Sequence, residues 1–154
     1  VNEDKLAAIA GPGVVLTLNA SQMTPRDIKA AIQEFVRQRG LPQSQWIIFE
    51  CSGTRAGQET AFSLINHGAT LAVVGFTMDK VEIRLSNLMA FHARAIGNWG
   101  CPPELYPAAL ELVMAGRVKV GQFVEKHPLS EINQVFEAAH AGVLKRRAVL
   151  VPEQ

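Results

Sequence analysis

Short apolar runs alternate with helical segments along the chain, and this alternation constrains the fold more than any other feature. Three such runs are rich in β-branched residues: VVLTL at 14–18, WIIFEC at 46–51 and TLAVVGF at 70–76. A helical repeat of apolar residues lies between the first two, and a second lies between the second and third. Strands that are apolar throughout and joined by helices indicate βαβ units and a parallel sheet covered on both faces. The sequence therefore predicts an α/β fold.

The helical segments carry recognisable start and stop signals. In Thr24-Pro25-Arg26-Asp27 a cap residue precedes a proline in the first turn and an acid three positions later, which is typical of a helix start. Glycine ends most of the helical patterns. Further helices are predicted at 2–10 (stopped by Gly11-Pro12-Gly13), 55–67, 104–115 and 130–141. The apolar segments 81–85 and 92–98, with a helical turn at Ser86-Asn87 between them, and a closing strand at 148–151 complete the pattern.

Composition excludes several classes of function. A length of 154 residues suits one domain with a sizeable core, and a net charge of +1 gives no basic field for nucleic acid. No apolar run approaches the roughly 20 residues that span a bilayer. The acidic, then helical, N-terminus is not a signal peptide. Cys51 and Cys101 are the only cysteines, which favours a reducing cytoplasm, with both thiols expected to be buried.

Two glycine-containing segments follow predicted strands at the edge where parallel sheets bind ligands. These segments are Cys51-Ser52-Gly53 and Val74-Gly75-Phe76. In open α/β sheets, ligands lie beyond the carboxyl ends of the strands, and glycine lets a flat ligand approach the backbone. The alternative interpretation is that both glycines only serve tight turns between strand and helix.

The usual opening of a dinucleotide-binding fold is missing from this sequence. Such a fold begins with a strand, a G-x-G-x-x-G turn, a helix and a second strand that ends in an acid. Gly11-Pro12-Gly13 follows a predicted helix, so it is not a phosphate-binding turn. We therefore expect an incomplete sheet that belongs to a longer protein, in which the strand at 14–18 lacks its usual neighbour.

Four segments match one known family in order along the chain. They read FECSG at 49–53, GATLAVVGF at 68–76, RAIGNWG at 94–100 and HPLSEINQVFEAAHAGVLKRRAVLVP at 127–152. The chain thereby resembles the cofactor-domain half of the zinc-dependent medium-chain alcohol dehydrogenases. The resemblance implies an incomplete Rossmann-like parallel sheet, with a partial NAD-binding domain at 1–143. Residues 144–154 would then form a strand that returns toward a catalytic domain outside this sequence.

The same resemblance implies eleven cofactor-binding positions. Lys5 matches a lysine that reaches the adenosine ribose, and Arg147 matches an arginine near the pyrophosphate, with the adjacent Arg146 as the alternative. A solvated helix lysine is the alternative for Lys5. The other nine positions form three groups beside the adenosine, the nicotinamide and its carboxamide, respectively: Cys51, Ser52 and Gly53; Val74, Gly75 and Phe76; Asn98, Trp99 and Gly100.

No catalytic or metal-binding residue is assigned to this chain. The histidines and cysteines lack zinc-ligand spacing, since His92 and Cys101 lie nine positions apart and His127 and His140 lie thirteen apart. The resemblance implies that zinc is bound by the absent catalytic domain. The isolated chain is therefore expected to be inactive, although the complete enzyme would use NAD and zinc.

A narrower resemblance, carried by residues 75–113, points to dehydrogenases that oxidise a ring hydroxyl of an alicyclic acyl-coenzyme A thioester. The family also implies a homodimer through the edge strand at 92–98, and a tetramer when intact. No proline interrupts that edge, although residues 78–80 could fold over it instead. Two other functions stay open: a zinc-free quinone or enoyl reductase of the same superfamily, and a non-catalytic dimerisation module. Neither nucleic acid nor membrane is an expected partner.

Overall fold

The computed structural model describes residues 3–10 and 13–152, and from α2 onward its helices and strands alternate as predicted. The predicted helix stop at Gly11-Pro12 lies outside the described residues. The elements are α1 (Glu3–Ile9), α2 (Pro25–Gln38), β1 (Ile47–Glu50), α3 (Arg55–Ser63), β2 (Thr70–Val73), α4 (Ser86–Ala90), β3 (Arg94–Gly97), α5 (Tyr106–Met114), β4 (Val124–Pro128), α6 (Ile132–His140) and β5 (Arg147–Val151), with 3-10 turns at Pro103–Leu105, Gly121–Phe123 and Leu129–Glu131. No described helix is both long and apolar enough to cross a membrane.

The chain divides into two compact units, Val1–Gly100 and Cys101–Gln154. The first unit contains a three-stranded parallel sheet in the order β1-β2-β3. Its register aligns Glu50 with Val73 and Val73 with Gly97. Because the strands are parallel, all three end at the same edge of the sheet.

Helix α2 begins where the sequence predicts. The Thr24 hydroxyl accepts a hydrogen bond from the Asp27 amide at 3.2 Å, and the Asp27 carboxylate accepts one from the Thr24 amide at 3.1 Å. This reciprocal pair is a capping box, which satisfies two amides that the first helical turn leaves free. The predicted start signal is confirmed.

Among residues 3–10 and 13–152, helices and loops pack on only one face of the first unit's sheet, whereas the sequence predicted packing on both faces. Leu71 of β2 packs with Phe62 of α3 and with Ile65 in the core of the first unit. On the opposite face of β1, Ile47 and Phe49 are 70% and 68% exposed. Apolar runs in the sequence do not show that the two faces differ, because the burial of each face depends on which elements pack against it.

The predicted strand at 14–18 is wrong. Val14 forms an isolated bridge, and residues 15–18 have no regular structure. A strand exists only where a neighbour supplies backbone hydrogen bonds. Among the described residues, the sheet of the first unit holds β1, β2 and β3 only. The apolar segment 81–85 likewise has no regular structure, but it contributes side chains to a cavity beside the sheet.

Helix α3 ends at Ser63, four residues before the predicted end at His67. The Lys29 ammonium of α2 donates hydrogen bonds to the carbonyl oxygens of Ser63 and Ile65, each at 2.9 Å. These carbonyls at the end of α3 therefore find their partner on α2, and the chain turns away toward β2. The contact ties α2 to the end of α3.

The second unit contains a β4-α6-β5 motif whose two strands are parallel and pair Val124 with Arg147. The sequence predicts β5 and α6 but not β4. The strand β4 reads VEKHP, in which charged residues interrupt the apolar pattern that identifies strands. The predicted division into 1–143 and 144–154 concerns the complete enzyme and stays a prediction.

Candidate functional site at the carboxyl edge of the sheet

Three loops leave the same edge of the first unit's sheet. We name them the β1 loop (51–54), the β2 loop (74–76) and the β3 loop (98–100). The strand register brings their first residues side by side, and the Asn98 amide donates to the Val73 carbonyl at 3.0 Å. Nine of the eleven predicted cofactor-binding residues lie in these loops. Their role in cofactor binding stays a prediction.

The β1 and β2 loops are in direct backbone contact at their glycines. Gly53 has a left-handed backbone with φ of 63°, which glycine adopts without steric cost. A Cβ placed on Gly75 would lie 2.2 Å from the Gly53 nitrogen and 2.6 Å from Oε2 of Glu50. The absent side chain of Gly75 thus makes room for the neighbouring loop. This contact supports the interpretation that the glycines serve the turns, rather than open space for a ligand.

A buried carboxylate organises the β1 loop. Glu50 ends β1 on the covered face of the sheet and is only 3% exposed. Its Oε1 accepts hydrogen bonds from the Ser52 amide at 2.7 Å, the Ser52 hydroxyl at 2.5 Å and the Gly53 amide at 3.3 Å. Burial acts to raise the pKa of Glu50, but the hydrogen bonds from Ser52 and Gly53 outweigh it, so the pKa lies below its ordinary value.

The β1 loop continues as a hydrogen-bonded turn into α3. The Thr54 hydroxyl caps α3 by accepting the Gly57 amide at 3.0 Å, and it lies 3.1 Å from the Ser52 hydroxyl. One turn further along α3, the Gln58 side chain donates to the Gly75 carbonyl at 3.1 Å. The start of α3 therefore contacts both loops.

Below the loops lies a cavity of about 160 Å³ between the sheet, α3 and the segment before α4. Glu50 is the single charged residue among those that line it. The other lining residues are Gln58, Phe62, Leu71, Val73, Val81, Ile83, Leu85, Leu88 and Ala95. The second carboxylate oxygen of Glu50, Oε2, is buried and has no hydrogen-bond partner.

Sequence reasoning missed both Glu50 and Gln58. The available signal was a carboxylate at the end of an otherwise apolar strand, IIFE, on the face of β1 that also holds Ile48. Ionised side chains are rarely buried without bonded partners. A glutamate at that position therefore indicates donors nearby, which here are the amides of the following loop.

An aromatic pair stands exposed at the loop edge. The rings of Phe76 and Trp99 meet edge to face, with centroids 6.5 Å apart. Phe76 is 67% exposed and Trp99 is 90% exposed. Large apolar surfaces left in water mark contact sites for a ligand or partner. The β2 and β3 loops thus present an apolar surface beside the polar β1 loop.

Lys5 and Arg147 are not part of the three loops. Lys5 lies exposed on α1, and no hydrogen bond or ion pair joins it to the three loops in the described part of the chain. Arg147 begins β5 in the second unit and is exposed. Their predicted contacts with the ribose and the pyrophosphate stay predictions.

The two cysteines are exposed, which corrects the expectation that both thiols are buried. Side chains alternate along a strand, so Cys51 continues the face of Ile47 and Phe49, which is the uncovered face. Cys101 lies in an exposed segment before the 3-10 turn at Pro103–Leu105.

No cluster of three or more metal-ligating side chains occurs among residues 3–10 and 13–152. The rings of His67 and His92 do meet edge to face, with centroids 5.4 Å apart. They lie outside the strands, before β2 and β3 respectively, and therefore at the opposite edge from the three loops. The described residues do not form a zinc site at the loop edge.

A family model described as "Zinc-binding dehydrogenase" matches residues 1–115. Among curated proteins, an alcohol dehydrogenase of Geobacillus stearothermophilus is 27% identical over 116 residues, which is 70% of this chain and 34% of that protein. The chain thus spans about a third of the length of this relative.

Solved structures resemble the whole chain. The alcohol dehydrogenase of the archaeon Aeropyrum pernix superposes with a TM-score of 0.80 at 24% identity, covering 99% of this chain and 41% of that one. A zinc-binding dehydrogenase of Sinorhizobium meliloti 1021, solved with NADP bound, superposes with a TM-score of 0.71 at 20% identity, covering 91% and 40%. The predicted fold, an incomplete Rossmann-like parallel sheet with flanking helices, is confirmed.

Proposed function

The chain belongs to the zinc-binding dehydrogenase family, and we propose that it is the cofactor-binding part of an alcohol oxidoreductase. The observation that carries this proposal is the convergence of the three loops at the carboxyl edge of a parallel sheet. Edges of this kind bind nucleotides in open α/β folds. The substrate, cofactor and assembly of the complete enzyme are part of the proposal.

The loop edge suits a dinucleotide in two respects. The Phe76 and Trp99 rings offer an apolar surface of the kind that excludes water beside a nicotinamide ring. The β1 loop, whose Ser52 and Gly53 amides are bonded to Glu50 beneath it, offers a main-chain surface of fixed shape to the ligand. Cys51, Val74 and Asn98 are exposed at the same edge. We propose that these residues bind NAD, with Asn98, Trp99 and Gly100 orienting the carboxamide.

When bound, NAD supplies the acceptor for a hydride taken from the alcohol carbon. This chain's residues contribute binding and orientation only. Lys5 would donate to a ribose hydroxyl and Arg147 to the pyrophosphate. The described residues do not fit a catalytic zinc, so no step through zinc is derived from them. Zinc in the intact enzyme stays a proposal that rests on the family.

The substrate we propose is 6-hydroxycyclohex-1-ene-1-carbonyl-CoA, oxidised at its ring hydroxyl to the ketone. Support comes from the resemblance of residues 75–113 to dehydrogenases of that kind. A zinc-free quinone or enoyl reductase is the competing function. Zinc content and turnover of the enzyme that carries this chain distinguish the two, because an enoyl or quinone reductase consumes a reduced cofactor without zinc.

Titration of the chain with NAD tests the proposal. A phosphate-binding helix N-terminus is the strongest anion site of a nucleotide fold, and the sequence lacks the glycine turn that forms it. We expect a Kd in the millimolar range, about −4 kcal/mol, with NMR shifts confined to the three loops. NADP provides the comparison for cofactor choice. Absence of any loop shift up to about 10 mM NAD would contradict the proposal and favour a non-catalytic module.

The exposed strand β3 supports the proposed homodimer. All four residues of β3 are exposed, and within the described part of the first unit β3 pairs with β2 alone. Met78 is 87% exposed, so residues 78–80 are not packed over the edge. The free edge offers a row of donors and acceptors to a second copy. A tetramer stays a prediction for the intact enzyme.

A proline substitution in β3 tests the dimer. The amides of Arg94 and Asn98 donate toward β2, so by alternation the Ala95 amide points away from the sheet. Ala95→Pro removes an outward donor and should yield monomers without breaking the inner ladder. The control Ile96→Pro removes an inward donor and should unfold the sheet. A monomer in sedimentation of the unaltered chain at micromolar concentration would refute the dimer.

A further inference from the structure

Glu50 holds the β1 loop through one carboxylate oxygen. Oε1 accepts two backbone amides and one hydroxyl, all from Ser52 and Gly53, at 2.5 to 3.3 Å. Bonds from N–H groups to an ionised carboxylate are shorter and stronger than those to a neutral acceptor. The loop therefore takes its shape from a side chain that lies beneath it and is 3% exposed.

The β2 loop depends on the same residue and on Gln58. The main-chain oxygen of Glu50 accepts the amides of Val74 at 2.9 Å and Gly75 at 2.8 Å. The Gln58 side chain donates to the Gly75 carbonyl at 3.1 Å. Oε2 of Glu50 lies so close that a Cβ on Gly75 would be 2.6 Å from it. The β1 loop is thus held by the Glu50 side chain, and the β2 loop by the Glu50 main chain and the Gln58 side chain.

The surroundings of Glu50 make burial of its ionised carboxylate unfavourable in free energy. Apart from Gln58, the cavity beside it is lined by apolar side chains. On α3, the Arg55 guanidinium pairs with Glu59 at 2.8 Å, and Glu59 also accepts the Glu82 backbone amide at 3.3 Å. Burying an ionised carboxylate costs free energy unless its bonds compensate. The compensating bonds come from Ser52 and Gly53 of the β1 loop, and the Gln58 side chain of α3 also favours the ionised form.

We propose that Glu50 and Gln58 are positioning residues, which hold the β1 and β2 loops at the spacing in which their backbones contact the dinucleotide. This inference rests on the proposed function. Neither side chain touches the cofactor, because both face the cavity beneath the loops. Cofactor affinity should therefore respond to a carboxylate that is buried on the other side of the backbone.

The first test compares NAD affinities of isotope-labelled chains. Glu50→Gln keeps the shape of the side chain but removes its charge, and should weaken NAD binding by about fivefold or more. Gln58→Met removes the donor to Gly75 at similar size and should weaken it by about threefold. Glu34→Gln makes the same chemical change on the exposed surface of α2 and should leave affinity unchanged. If Glu50→Gln and the unaltered chain bind NAD with equal affinity, the positioning role of Glu50 is overturned, whereas the proposed function is not.

The second test needs no cofactor and no stable variant. On acid titration of the unaltered chain, the amide signals of Ser52 and Gly53 should shift as Glu50 gains its proton. If one residue holds both loops, the signals of Gly75 and Phe76 should shift with the same midpoint. Stationary Gly75 and Phe76 signals would overturn the inference, even if Glu50→Gln fails to fold.

The two tests separate this inference from the proposed function. Coupled titration of the loops without any NAD-induced shift overturns the proposed function, and with it the cofactor role of Glu50. NAD-induced shifts that persist unchanged in Glu50→Gln leave the proposed function standing and overturn only the positioning role.

Discussion

Replacing Gly75 with alanine probes the contact between the β1 and β2 loops. The added Cβ would lie 2.2 Å from the Gly53 nitrogen and 2.8 Å from the Gly53 Cα, whereas ordinary contact begins at 3.4 Å. The loops must therefore separate by about 1.2 Å to relieve the shortest contact. Both obstacles are backbone atoms, so no side-chain rotation removes the clash.

The cost of Gly75→Ala follows from that displacement. Overpacking in a close-packed region costs roughly 1–3 kcal/mol. Separation of the loops also weakens the bonds from the Val74 and Gly75 amides to Glu50, each of which contributes about 1 kcal/mol net. We expect a loss of about 3 kcal/mol in the free energy of unfolding of the first unit.

Urea denaturation followed by tryptophan fluorescence measures this loss, since Trp46 and Trp99 both lie in the first unit. Gly97→Ala is the matched control: it lies on β3 of the same unit, and its Cβ would meet nothing within 4 Å. The control should change stability by less than about 0.5 kcal/mol. A Gly75→Ala variant as stable as the control would refute the reasoning that the two loops are packed backbone to backbone.

Two further predictions concern the half-buried Lys29 and the buried Glu50 of the first unit. Lys29→Met keeps the apolar stem but removes the bonds to the Ser63 and Ile65 carbonyls, and should lower the free energy of unfolding by about 2 kcal/mol; an unchanged urea midpoint would contradict the role of this lysine. The pKa of Glu50 is lowered in the folded chain from an ordinary 4.5, so its stabilisation is complete above pH 4.5 and is lost as the pH falls toward the folded value. Urea curves between pH 3 and 7 should show the stability gap between the unaltered chain and Glu50→Gln narrowing in acid; a gap that stays constant would argue against an ionised Glu50.

The class of fold and the order of most elements follow from patterns between residues that are close in sequence. The capping box at Thr24 and the alternation of apolar runs with helices are local signals, readable because each depends on residues close in sequence. The same local signals place the segments 51–53 and 74–76 at one edge, since strands of a parallel sheet end together. Gly53 and Gly75 could be singled out from the sequence because each one closely follows a predicted strand.

Which strands pair, and which faces of the sheet are packed against other elements, depends on contacts between residues far apart in the chain. The segment 14–18 has the composition of a strand but no described neighbour in a sheet, whereas β4 pairs with β5 despite its charges. Exposure of Cys51 and burial of Glu50 follow from cover on one face of β1. Strand pairing and the burial of a sheet face both involve residues that are far apart in sequence. The residues of a strand therefore do not by themselves indicate which elements pack against it. For that reason the role of the Glu50 carboxylate in holding the β1 loop was identified from the structure and not from the sequence.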